Sequence, residues 1–217
     1  LIAVDHFMTD KPLAGAQYQV YRSPIPAVKI VTLNRLNRAV SDVQRELEAH
    51  GFYDEKLAKI DVYLSWCGVA YGWCWYGSSG NIHIPAVSIG KMFEGVVGAP
   101  RSTLRDTLRH EYGHALAHTH RALFCSVPFK RAFGSHHDAD IQWDYDAERH
   151  VTPYAATSPG EDFAEVFMLY LRYNGELPER FNTWRIRRKW RFIREVGGAV
   201  KRGQRRWKKQ VFATSSR

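Results

Sequence analysis

Apolar side chains change their spacing several times along this chain, and each change predicts an element. Residues 27–33 (AVKIVTL) suit a strand, then Leu36, Val40, Val43 and Leu47 recur at helical spacing and predict a helix over 36–50 with Gly51 as its stop. β character returns at 60–66. Residues 69–76 are rich in aromatics, GSSG at 77–80 is turn material, and NIHIPAV at 81–87 is a further strand. Together these predict a small twisted sheet with one helix packed on it.

A second helix begins near Arg101, where Thr103 and Asp106 have the spacing of a capping box, each side chain satisfying a free amide of the first turn. Residues 126–160 read as loop-rich and polar, with SHHDAD at 135–140 the least structured. Helical spacing resumes over 161–173 and ends at Asn174 and Gly175. After Pro178, Ile186, Trp190 and Ile193 predict a last long helix whose apolar face includes Trp184, Trp190 and Trp207. Pro12, Pro24 and Pro26 interrupt the first 26 residues, which read as an extended arm. The expected organisation is an arm over 1–26, a main domain over 27–178 and a basic helical segment over 179–217, packed on the domain or extending from it.

Charge changes this picture locally. The chain carries a net +9, yet fourteen of its 31 Lys and Arg fall between 180 and 217 against a single acid, Glu195. The remainder is slightly acidic, so an anionic partner is expected only at the C-terminal segment. Composition otherwise excludes the disordered and disulfide-scaffold classes. Of the three cysteines, Cys67 and Cys74 are too far apart for a zinc knuckle or redox pair; buried thiols are expected, with a disulfide between them open in an oxidising compartment. No apolar run is long enough to span a bilayer. We therefore expect a soluble protein; the start at Leu1 rather than Met is compatible with a removed leader, and both cytoplasmic and secreted locations stay open.

The chemistry concentrates in HEYGH, residues 110–114. Positions i and i+4 of a helix share a face, so His110 and His114 can offer imidazole nitrogens to one tetrahedral zinc, while Glu111 is placed to act as a base rather than a ligand. A zinc enzyme needs a third protein ligand and an open fourth position. His120 has the ten-residue separation from His110 found in metzincins, but Ala117 stands where a turn glycine is needed, so the helix carries His120 away. His118 lies a full turn beyond His114 and is expected to flank the site. The other source of a ligand is YAATSPGEDFAE, residues 154–165, in which Glu161 and Glu165 share a helix face: one carboxylate can bind metal while the other accepts the ring N–H of a ligating histidine.

HEYGH followed by this block resembles the gluzincin group of zinc metallopeptidases, and within it bacterial zinc-binding metallopeptidases with a YAxxxPxEDxAE block. The matching positions are Tyr154, Ala155, Pro159, Glu161, Asp162, Ala164 and Glu165. The likeness spans about residues 103–170; the HALAHTH continuation and the long 115–153 stretch depart from it. It implies an α+β, zincin-like domain with an active-site helix and a helical C-terminal part. It further implies one Zn2+ held by His110, His114 and Glu161, Glu111 as general base toward a zinc-bound water, Glu165 behind the ligands, Tyr154 as donor to the oxyanion, and a protein or peptide substrate. In zincin folds the substrate lies along an edge strand, and Pro85 marks 81–87 as an edge, so Ile82, His83 and Ile84 are the expected substrate contacts. Two other readings remain: a nucleic-acid-associated protein with a zinc-stabilised core and a basic tail, and a peptidase toxin or effector.

Overall fold

The computed structural model describes residues 30–68, 72–76, 79–88 and 103–207. The arm over 1–26 lies outside these residues, as do the first three residues of the strand expected at 27–33. Its described end is not a strand. Thr32 caps the first helix, α1 (Leu33–Ala49), its hydroxyl accepting from the Arg35 amide at 3.3 Å, so the helix starts three residues before the position that apolar spacing indicated. Val31 instead donates its backbone N–H to the Ala86 carbonyl at 2.9 Å.

Three strands follow: β1 (Asp61–Gly68), β2 (Gly72–Tyr76) and β3 (Ser79–Ser88), in the order β1-β3-β2. β3 runs parallel to β1 and antiparallel to β2. The strand expected at an edge is thus the middle one. Pro85 is tolerated because β2 pairs only with residues 79–83 of β3, leaving the stretch around the proline without a β2 partner. Cys67 and Cys74 stand opposite Val87 and Asn81, on strands separated by β3 and displaced six residues along it. Two inter-strand spacings of about 4.8 Å and ~20 Å of strand length put their Cα atoms far beyond disulfide reach.

The second long helix, α2 (Leu104–Thr119), carries HEYGH and opens on the expected capping box, with both the Thr103 and Asp106 side chains engaged. It runs without a break through Ala117. Short helices α3 (Arg121–Phe124) and α4 (Val127–Phe133) follow, inside a stretch read as loop. Ser126 caps α4, and Phe129 and Phe133 bury one turn apart. SHHDAD is also better packed than its polarity suggests: His137 is buried against Phe124, Phe129 and Phe163. Then come α5 (Pro159–Arg172), capped by Ser158, and α6 (Trp184–Lys201), capped by Thr183.

One core holds these elements together. Leu36, Val43 and Leu47 of α1, Ile82 and Ile84 of β3, Leu108 and Tyr112 of α2, Phe163 and Phe167 of α5, and Ile186, Ile193 and Val196 of α6 belong to it. The basic segment is therefore packed on the domain, and its helix is part of the core. Trp190 is buried in it and Trp207 packs against it, donating Nε1–H to the Leu123 carbonyl at 3.0 Å, whereas Trp184, expected on the same face, is half-exposed. No helix among the described residues is long and apolar enough to cross a membrane.

Candidate metal centre

Two helices meet at the site because a glycine lets them. A Cβ on Gly113 of α2 would stand 3.1 Å from the Phe167 ring and 3.3 Å from the Ala164 Cα of α5, so the bare glycine sets the approach of the two backbones. From α1, Glu46 holds Arg109 by two short bonds of 2.6 and 2.7 Å, and Asp106 takes a third at 2.6 Å. These fix the roll of α2. Its His110–His114 face then looks at the start of α5, where Glu161 stands in the first turn and Glu165 one turn on.

The result is a convergence of acceptors. Glu161 Oε2 lies 3.1 Å from His110 Nε2 and 3.3 Å from His114 Nε2, and the two imidazole nitrogens are 3.1 Å apart. Behind them, His110 Nδ1–H donates to Glu165 Oε1 at 2.8 Å, which fixes the tautomer and leaves Nε2 a lone pair. Glu165 is held in turn: Thr152 Oγ1 donates to its Oε2 at 2.8 Å, and the Ala155 amide donates to the same hydroxyl at 3.1 Å. Thr152 thereby ties the carboxylate to the turn that carries Tyr154. Nothing in the spacing of the motifs marked it; the only signal is a hydroxyl residue two positions before the tyrosine.

Three lone-pair atoms at such distances repel unless a positive charge lies among them. Burial alone would depress the His110 pKa, but Glu161 and Glu165 overcome it and raise it to about 10. For Glu161, burial alone would raise the pKa; His110 and His114 reverse this and hold the carboxyl far below the usual carboxylate range. A proton on His110 can serve only part of this need, and Glu161 Oε2, fully buried, makes no hydrogen bond. A divalent ion serves all of it. Ligand atoms about 2.05 Å from a tetrahedral zinc stand about 3.3 Å from one another, and the three separations here match that edge. His110, His114 and Glu161 form the only metal-competent group of three among the described residues.

The remaining expected residues fall on both sides of the line. Glu111 is buried on α2, and its charge acts on both His110 and Tyr154. Tyr154 sits in a helical turn at Tyr154–Ala156, half-exposed, its ring 5.9 Å from that of His110. Burial, then Glu161, Glu111 and Glu165, push its phenol up to about 12. His120 is elsewhere, pairing with Asp54 at 3.0 Å. His118, expected to flank the site, stands edge-on to His137. The expected substrate contacts fare worse. Ile82 and Ile84 are wholly buried in the core, and His83 stacks on Tyr63 at 5.4 Å, so the two isoleucines face packing rather than a bound chain.

No protein family, no curated protein and no solved structure matches this chain.

Proposed function

We propose that the protein is a zinc-dependent metallopeptidase of gluzincin type, built on a zincin-like α+β domain, hydrolysing peptide bonds in a protein or peptide substrate. The observation that carries this reading is the convergence of His110 Nε2, His114 Nε2 and Glu161 Oε2 within 3.3 Å, with Glu165 holding the far nitrogen of His110. Three protein ligands rather than four favour a catalytic ion over a structural one. When bound, zinc would supply a water acidified toward pKa ~7 and a Lewis acid for the carbonyl oxygen.

The chain's own groups do the rest. Glu111, one residue from the first ligand, takes the proton of the attacking water and passes it to the leaving amine. Tyr154, whose raised pKa keeps its hydroxyl protonated at neutral pH, donates to the carbonyl oxygen as negative charge gathers there. Glu165 and Thr152 hold His110 with Nε2 bare toward the ion. A substrate chain pairs with β2 instead of the 81–87 strand, since β2 is an edge strand of the described sheet and lies against α2.

The test combines metal analysis with turnover. After zinc loading and dialysis, wild type and Glu111→Gln should each retain one zinc per chain, and His110→Ala and Glu161→Ala should retain none. Wild type should cleave a fluorogenic peptide library, with cleavage by Glu111→Gln lower by a factor of 10³ or more. Stoichiometric zinc in Glu161→Ala, or undiminished cleavage by Glu111→Gln, would refute the proposal.

A further inference from the structure

α4, α6 and the 143–149 loop border an open cavity of about 380 Å³ whose lining includes Arg131, Arg149, Arg185, Arg188, Trp143 and Trp184 and none of His110, His114 and Glu161. Four guanidiniums share this space, yet only one has a carboxylate within ion-pair distance among the described residues: Arg185, 3.0 Å from Asp146. Lys189, also in the wall, is fully buried and already neutralised by Asp162. Gathering three uncompensated cations costs electrostatic free energy that an anion would relieve. Their charge reaches into the protein: burial first, then Lys189, Arg149 and Arg185, depress the His150 pKa to about 4.

The cations are also held in place. Arg149 lies over the Trp143 ring at 4.1 Å, and Arg188 and Arg185 lie over Trp184 at 4.6 and 5.2 Å. Gly134, at φ +88°, makes room for Arg149, because a Cβ there would meet the guanidinium at 2.5 Å. Arg188 uses Nη1 on the Arg131 carbonyl at 2.8 Å, which leaves the other N–H groups of the fork for a ligand. Planar forks stacked on indoles are pre-organised for an oxyanion with several oxygens. A single carboxylate offsets one of the three uncompensated charges and offers two oxygens; a phosphate monoester dianion offsets two and offers three terminal oxygens, so it suits the site better. The volume is within the range of small-molecule sites, roughly 300–1,000 Å³.

We propose that this cavity binds the phosphate of a small phosphate ester about the size of a mononucleotide, with the half-exposed Trp184 at its rim. The site is separate from the metal centre and stands whether or not the peptidase reading does. Calorimetric titration of the full chain at low ionic strength tests it with four probes: AMP, inorganic phosphate, adenosine and hexaglutamate. AMP and phosphate should bind at one per chain and adenosine should not. Arg149→Gln and Arg188→Gln should each weaken AMP at least tenfold with unchanged thermal midpoints, while Arg38→Gln, outside the cavity, should bind as wild type does. His110→Ala should bind AMP undiminished, separating this site from any phosphate held by zinc. Adenosine binding as well as AMP, hexaglutamate displacing AMP at equal or lower concentration, loss of AMP in His110→Ala, or wild-type affinity in both folded cavity variants would each overturn the assignment.

Discussion

Tyr154 and His150 sit four residues apart and show how one loop treats two titratable groups differently. Tyr154 faces three carboxylates and keeps its proton, so Tyr154→Phe should remove a donor used only as the oxyanion forms; we expect kcat to fall ~100-fold with KM nearly unchanged, read from steady-state cleavage. His150 is buried beside cations and stays neutral. Its unfolded pKa is near 6.5 and its folded value about 4, so its contribution to stability is complete above pH 6.5 and is lost as pH falls through that window. The loss approaches ~3 kcal/mol below pH 4. Urea unfolding of wild type and His150→Asn should give stabilities whose difference shifts against wild type by up to that amount between pH 7 and 4; a difference independent of pH would count against this account.

At the scale of elements, the meeting of α2 and α5 decides whether His110, His114 and Glu161 converge. Gly113→Ala gains about 1 kcal/mol of helix propensity but must push Phe167 and the Ala164 backbone aside, at roughly 1–3 kcal/mol. A lower melting temperature and a weaker hold on zinc in a chelator competition are expected together, because the ligands come from both helices. Much of this was legible in the sequence. The i, i+4 histidines, the capping box at Thr103 and the Glu161–Glu165 pair are local patterns, and local patterns survive folding. The strand order was not legible, because the rank of 81–87 within the sheet depends on where residues 72–76 pair, which no local spacing records. The helix at Val127–Phe133 could have been found from Ser126 as cap with Phe129 and Phe133 one turn apart, a signal outweighed by the polar residues after it. Thr152 matters only once the fold brings it to Glu165.

At the scale of the whole molecule, a buried ion pair ties the last helix to the helix that carries Glu161. Lys189 Nζ donates to both Asp162 oxygens, at 2.5 and 2.8 Å, and to the Arg149 carbonyl, and Asp162 is the residue after Glu161 of the proposed ligand set. Burial pushes Asp162 up to about 6 and Lys189 down, so desolvation opposes the pair even while attraction holds it. Lys189→Met should cost about 3–5 kcal/mol by stranding a charge, and adding Asp162→Leu should restore most of it, as measured by denaturant unfolding.

That coupling governs how the basic segment has to be dissected. Cutting the chain before residue 180, the usual first step with a cationic extension, would strip Ile186, Ile193 and Val196 from the interior and leave Asp162 without its counterion, so loss of any activity in such a truncation would report collapse rather than a role for charge. Neutralising Arg187, Arg191 and Arg194, which point outward from α6, alters the electrostatics and spares the architecture.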